Sequence, residues 1–217
     1  MEKLIEEARD LIEPNMYVSF GGGRTVGRLI RSITDKSIKV SSPSEMTRDL
    51  CRELDIPVVP LEQVDHFDLA FDGCDSLDDN LNVLKSNGGI HTFEKLYANL
   101  AKRYIILAPK SRSTKTFNVE IPLCLEVMEL AIPQVKVEVE KLGGKVEVRQ
   151  SSEMAGMVRT VNGNALVDCH FNNWDRIDEI DTKLAQMTGV VGTSYFKNLV
   201  TDALLSTDSD VIHLQRK

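Results

Sequence analysis

The chain has 217 residues, 42% of them hydrophobic and 27% charged, which is enough apolar material for a real core. That length is long for one compact domain and short for two full ones. The net charge of -7 argues against nucleic-acid or anionic-membrane partners, which select basic faces, but a few local donors can still hold a small anion.

The first residues are charged and amphipathic and lack the apolar core of a signal peptide. No apolar run reaches the length of a bilayer. Cys51, Cys74, Cys124 and Cys169 are too scattered for a disulfide framework or a zinc site. A cytoplasmic protein with reduced, mostly buried thiols is expected.

Apolar residues at Leu4, Ile5, Ala8, Leu11 and Ile12 predict a first helix, stopped by Pro14-Asn15. A strand over 16–20 leads through a glycine run into a helix over 25–33. A strand over 38–41 and Ser42-Pro43-Ser44-Glu45, a helix-start signal, precede a helix over 46–54. A weak strand over 56–59 and a strong one over 67–71 follow. After a polar loop and a glycine pair come a helix over 91–101 and a strand over 104–108. Strand–helix alternation with short connections implies a mostly parallel sheet covered on both faces.

The middle of the chain changes character. Residues 130–142 are helical and end at Gly143-Gly144. Residues 145–149 alternate like a half-buried strand. Residues 158–161 and 165–169 flank Asn162-Gly163, a hairpin signal. A helix over 176–187, an extended segment over 190–196, and short strands over 203–206 and 211–214 complete the chain. The expected division is an α/β domain from residues 1–121 and 193–217, with a small α+β lobe from residues 122–192.

Ligands of open parallel sheets bind beyond the carboxyl ends of the strands, so chemistry belongs in the loops after Phe20, Ser41 and Phe71. Three constellations stand out there. Gly21-Gly22-Gly23-Arg24-Thr25 could bring backbone N–H groups, a hydroxyl and a guanidinium to a phosphate. The plainer reading is a tight strand-to-helix turn, and the two are evenly weighted. Asp72-Gly73-Cys74-Asp75 places two carboxylates where they could hold sugar hydroxyls and tune each other's proton affinity. Turn-forming aspartates are the plainer alternative; a hard-cation site ranks behind sugar binding because the run fails the EF-hand pattern. Lys85-Ser86-Asn87-Gly88-Gly89, followed by His91-Thr92-Phe93-Glu94-Lys95, puts a lysine and a polar glycine loop before a helix. Backbone N–H groups there could stabilise an enediolate oxygen. Glu94, facing a closed pocket, could shuttle protons; otherwise it is a solvated first-turn acid. His91 reads as a capping or surface residue.

In this order and at these separations the three blocks resemble the type A ribose-5-phosphate isomerase family. The matching segments are Ser41-Ser42, Asp72-Gly73-Cys74-Asp75, Lys85 to Gly88, and Thr92-Phe93-Glu94-Lys95. In the later lobe they are Leu142-Gly143-Gly144, Asn162-Gly163-Asn164, Val167-Asp168-Cys169-His170 and Gly189-Val190-Val191. The resemblance covers essentially the whole chain. It implies a Rossmann-like α/β domain with a ferredoxin-like lobe, in a homodimer or homotetramer. It implies interconversion of D-ribose 5-phosphate and D-ribulose 5-phosphate through a cis-enediol, with no cofactor and no metal. By position, Glu94 is the expected proton-transfer base. Asp72 and Asp75 are expected to hold and polarise sugar oxygens, and Lys85 to offset enediolate charge. Gly22, Gly23, Arg24 and Thr25 form the expected phosphate loop; Ser86, Asn87, Gly88 and Arg112 complete the expected substrate contacts.

The chain departs from the family where Thr-Gly-Ser-Thr becomes Gly22-Gly23-Arg24-Thr25, losing two hydroxyls and gaining a guanidinium. Lys-Gly-Gly-Gly becomes Lys85-Ser86-Asn87-Gly88, with side chains that could narrow the pocket. Alternatives are a non-catalytic sugar-phosphate sensor, an isomerase for another phosphorylated sugar, and an acyl- or CoA-transferase-type enzyme. No helix-turn-helix or basic surface supports the regulatory alternative.

Overall fold

A computed structural model describes residues 1–216. Its first part runs α1 (Glu2–Arg9), β1 (Tyr17–Phe20), α2 (Arg24–Ser32), β2 (Lys39–Ser41), α3 (Glu45–Glu53), β3 (Phe67–Asp72), β4 (Ser76–Leu77), β5 (Val83–Leu84), α4 (His91–Asn99) and β6 (Ala101–Pro109). The second runs β7 (Leu123–Val127), α5 (Ile132–Lys141), β8 (Lys145–Val148), β9 (Ala165–His170), α6 (Ile177–Ala185), β10 (Val190–Thr193), β11 (Tyr195–Phe196), β12 (Asp202–Ser206) and β13 (Val211–Gln215).

The main sheet has the order β13-β12-β6-β3-β1-β2, parallel throughout except for the edge strand β13. Its central strands are buried on both faces, which is why they read as continuous apolar runs. Alternation sorts their side chains. Leu69, Phe71, Ile105 and Leu107 pack with Leu4, Val26, Leu29 and Ile30 of α1 and α2. Ala70, Tyr104, Ile106 and Ala108 pack instead with Ala98 of α4 and with Phe196 and Leu205. Burying one large aliphatic side chain is worth about 1.5–3 kcal/mol, so truncating Phe71 or Ile105 would cost about 2–5 kcal/mol.

A four-stranded antiparallel sheet, β10-β7-β9-β8, carries α5 and α6 over a second core of Leu125, Val167, Val135, Val139, Ile180 and Leu184. A third, small sheet, β11-β5-β4, lies on both cores: Leu84 and Tyr195 belong to the second, while Leu77, Val83 and Phe196 belong to the face of the main sheet under α4.

Several sequence expectations change. Residues 56–59 make no strand; Val58 forms a single bridge to Val40. Residues 158–161 are not a hairpin arm either. The turn at Asn162-Gly163 forms, but Arg159 makes only a bridge to Ala165, and β9 pairs with β7 and β8. The sheet supplies better partners than the local turn does. The extended segment over 190–196 breaks at Ser194, so β10 and β11 enter different sheets. Strands β4, β5 and β7 had no clear signal in the sequence.

Candidate active site

Strand order places β2 on one side of β1 and β3 on the other, so the loops after β1 and β3 part company there. That divergence opens a crevice at their carboxyl ends. The first wall is the glycine loop. The Gly21 N–H donates to Phe71 O (2.8 Å), and Thr47 Oγ1 donates to Gly21 O (2.8 Å). A Cβ on Gly21 would overlap the Asp72 carboxylate, so only glycine allows this approach. Gly23, at φ 94°, turns the chain into α2. Arg24 is the first residue of α2 and is exposed. Gly22 rests against Ser44, the N-cap of α3.

Asp72 ends β3 and is buried. Its Oδ1 accepts from the Gly73 N–H (2.8 Å) and from Lys85 Nζ (2.9 Å). Its Oδ2 accepts from the Tyr104 hydroxyl (3.2 Å). Lys85 follows β5 directly and its N–H donates to Ser194 O (3.0 Å). Its ammonium reaches Gly73 O (2.7 Å), Asp72 and Glu94 Oε1 (3.2 Å). Glu94 sits in the first turn of α4, 6% exposed, which excludes the solvated-acid alternative.

The electrostatics follow from burial. Burial would discharge Lys85, but the charges of Asp72 and then Glu94 outweigh it and hold the ammonium above the ordinary lysine range. For Glu94 the balance goes the other way. Burial dominates and raises it to about 8; Lys85 opposes the rise and Asp72 reinforces it. The two directions are compatible because one ammonium is shared by two carboxylates. Burial also raises Tyr104 well above the ordinary phenol range, and Cys74 to about 12, so that thiol is inert.

Asp75 faces the loop after Lys85. Its Oδ2 accepts the N–H groups of Ser86 (2.7 Å) and Asn87 (2.9 Å), and its Oδ1 accepts Asn87 Nδ2 (2.8 Å). The Ser86 hydroxyl turns inward to Pro122 O and Ser194 Oγ. Of the two side chains that could narrow the pocket, Ser86 is buried in the protein and Asn87 is held against Asp75. Gly88 is exposed and unobstructed. Arg149, from beyond β8, grips the same loop through Ser86 O (2.8 Å) and Asn87 O (3.2 Å). It is itself held by Asp168 through Nε (2.8 Å) and Nη2 (2.6 Å).

Arg112 donates to Cys74 O, so it braces the Asp72–Asp75 turn. It shares with Asp75, Thr114, Thr116 and Phe117 the wall of a pocket of about 370 Å³ that none of Asp72, Lys85 and Glu94 reaches. His91 is not at the surface. It is fully buried as the first residue of α4, its Nε2 3.4 Å from Gly192 O, and burial lowers it to about 4. Tyr104 and Arg149 pack into the site and carry no signal in the sequence, while Gly21 and Asp168 lie in segments the sequence singles out without a role for either residue. Among the described residues no cluster of His, Cys, Asp and Glu is arranged to hold a metal ion, and no helix is long and apolar enough to cross a membrane.

An α/β sheet with a buried Asp–Lys–Glu cluster at its switch point, one carboxylate poised near neutrality, defines an enzyme of the acid–base type. The family model described as ribose 5-phosphate isomerase A (phosphoriboisomerase A) matches residues 39–210. A ribose-5-phosphate isomerase A of Prochlorococcus marinus strain NATL1A is 31% identical over 99% of this chain and 95% of its own length. The solved ribose 5-phosphate isomerase A of Methanocaldococcus jannaschii has a TM-score of 0.91 and 28% identity, covering 98% of this chain and 96% of that one. A D-ribose-5-phosphate isomerase in complex with phospho-erythronic acid has a TM-score of 0.94 and 28% identity, covering 99% and 97%. The chain belongs to the ribose 5-phosphate isomerase A family.

Proposed function

We propose that this chain interconverts ribose 5-phosphate and ribulose 5-phosphate, and that the Asp72–Lys85–Glu94 cluster performs the proton transfer. The reaction is the family's own. The observation that carries the assignment of residues is the Lys85 ammonium between two buried carboxylates, with Glu94 raised to about 8.

In this reading Glu94 takes the proton from C2 of the open-chain aldose. The C2–H electrons become the C1–C2 double bond, and the carbonyl π electrons move onto O1. Lys85 stabilises that oxygen as the cis-enediolate forms. The O2–H proton then passes to O1, the electron pair it leaves forms the C2=O2 carbonyl, and the C1–C2 π pair takes the proton back from Glu94 at C1, giving the ketose. A carboxyl group near neutrality suits both halves, because it must accept and release a proton at the working pH. Asp72 and Asp75 hold sugar hydroxyls, with Ser86 and Asn87 acting on Asp75 through their N–H groups. Gly22, Gly23, Thr25 and Arg24 receive the phosphate at the start of α2. Gly88 supplies an unobstructed N–H, and Arg112 supports the turn that carries Asp75. Phospho-erythronic acid, which the related isomerase binds, carries a phosphate and a planar carboxylate that resembles an enediolate in shape and charge.

The test is conversion of ribose 5-phosphate in deuterated water containing a strong chelator, comparing the native chain with Glu94→Gln. Turnover with deuterium entering C1 of the product, both lost in the variant, is the expected result. Native activity retained by Glu94→Gln would refute the role of Glu94. Loss of native activity in chelator would refute the metal-free mechanism.

A further inference from the structure

The proton-transfer scheme uses Asp72, Lys85 and Glu94 but not the phenol packed beside them. We propose that Tyr104 is a positioning residue that fixes the plane of the Asp72 carboxylate for the isomerisation. This rests on the assignment of Asp72 to the reaction.

Register explains the reach. In the β3–β6 pair Ala70 lies opposite Tyr104 and Asp72 opposite Ile106. Tyr104 and Asp72 thus share a face as diagonal neighbours, the separation an aromatic side chain spans. The contact is closed to solvent, with Tyr104 2% and Asp72 4% exposed. The two carboxylate oxygens have different partners. Oδ1 takes the Gly73 N–H and the Lys85 ammonium, while among the described residues the phenol alone donates to Oδ2. Turning the carboxylate about its Cβ–Cγ bond therefore breaks contacts on both sides.

The donor is itself rigid. The Tyr104 N–H donates to Thr201 Oγ1 (3.0 Å), and Tyr104 O accepts the Thr201 N–H (3.0 Å). Its ring stacks on Phe196, with centroids 6.2 Å apart and planes 28° from parallel. Burial first, then the charges of Asp72 and Glu94, keep the phenol protonated, so it acts only as a donor. Without that donor, Oδ2 is buried and unpaired. Its nearest remedy is rotation toward Lys85, which would draw the ammonium away from Glu94 and from the developing oxyanion.

Tyr104→Phe removes one oxygen and keeps the ring stack. A hydrogen bond to a charged group corresponds to about 10- to 100-fold in rate, and that loss is expected in kcat. KM for ribose 5-phosphate should change by less than kcat does, because Asp75 and the phosphate loop keep their hold on the sugar while the phenol touches Asp72 alone. In the Asp72→Asn background the same change should alter kcat by less than about twofold, since the group being positioned has already been altered. The inference is overturned if Tyr104→Phe keeps kcat within about twofold of native. It is equally overturned if the loss falls on KM, or if the two substitutions multiply. Asp72→Asn with native kcat would instead remove the assignment of Asp72 on which the inference depends.

Discussion

Glu94→Gln should stabilise the protein while abolishing most of its turnover. In the folded chain Glu94 sits near 8 against an ordinary value of 4.5, chiefly because burial penalises its charge. Between those two values the folded state holds a proton that the unfolded state releases. Stability from this group is therefore complete below about pH 4.5 and is lost as pH rises toward 8. At about 1.4 kcal/mol per tenfold change in proton affinity, the full loss is on the order of 5 kcal/mol. Glutamine keeps the shape and carries no charge, so the variant escapes this loss. Lys85 still has Asp72 as its counter-charge, at 2.9 Å. The attraction of Lys85 is already contained in the value near 8. The expected advantage of the variant is on the order of 5 kcal/mol at pH 8.5, shrinking to under about 1 kcal/mol at pH 5. Urea unfolding of both proteins by circular dichroism, from pH 5 to 9, measures this directly. Turnover of ribose 5-phosphate should fall by about 10²–10⁴ in the variant. A stability difference that stays constant across this pH range, or a native chain more stable at pH 8.5, would refute the electrostatic account of Glu94.

Gly21→Ala should lower turnover more than about 100-fold, because its methyl group displaces the Asp72 carboxylate; steady-state kinetics measure this. Arg24→Ala should raise KM for ribose 5-phosphate about tenfold with kcat within about threefold, as expected for an exposed cation that meets the phosphate away from the reacting carbons. Arg149→Ala should destabilise the chain by about 2–4 kcal/mol in urea, since it strands the buried Asp168, and should lower kcat about tenfold or more by freeing the Ser86–Asn87 loop. Arg149→Lys should recover part of the stability but little of the rate, since an ammonium cannot span both partners at once.

The sequence made some of this legible and not the rest. β3 was evident because a central strand buried on both faces is apolar at every other step and more. The Asp72, Lys85 and Glu94 trio was recognisable by its order and spacing, which resemble the family's; position on the first turn of a helix alone left Glu94 open between a pocket base and a solvated acid. β7 escaped notice because Glu126 interrupts its apolar run. That carboxylate is nevertheless 1% exposed, satisfied by Thr160 Oγ1 and Asn164 Nδ2 from a distant turn. Such a partner leaves no local signature. Tyr104 looked like one more apolar strand residue, and its hydroxyl gains meaning only once β3 lies beside β6. His91 was misplaced for a related reason: the start of a helix is ordinarily exposed, but here β10 covers it, with Gly192 O at 3.4 Å. The inward turn of Ser86 was equally unreadable, because Pro122 and Ser194 approach it only in the folded chain.

The guanidinium of Arg149 works as a rivet through two sheets. One edge is fastened to Asp168 on β9, and the other holds the two carbonyls whose peptide N–H groups orient Asp75 or continue the loop. The four-stranded sheet is thereby tied, through one guanidinium and one peptide unit, to the Asp75 carboxylate. Load on one is felt by the other, and linkage makes the effect reciprocal. Under the proposed role of Asp75, a change in the packing of β8 and β9 would reach the sugar through Arg149 and the Ser86–Asn87 loop, and sugar binding would act back on those strands in equal measure.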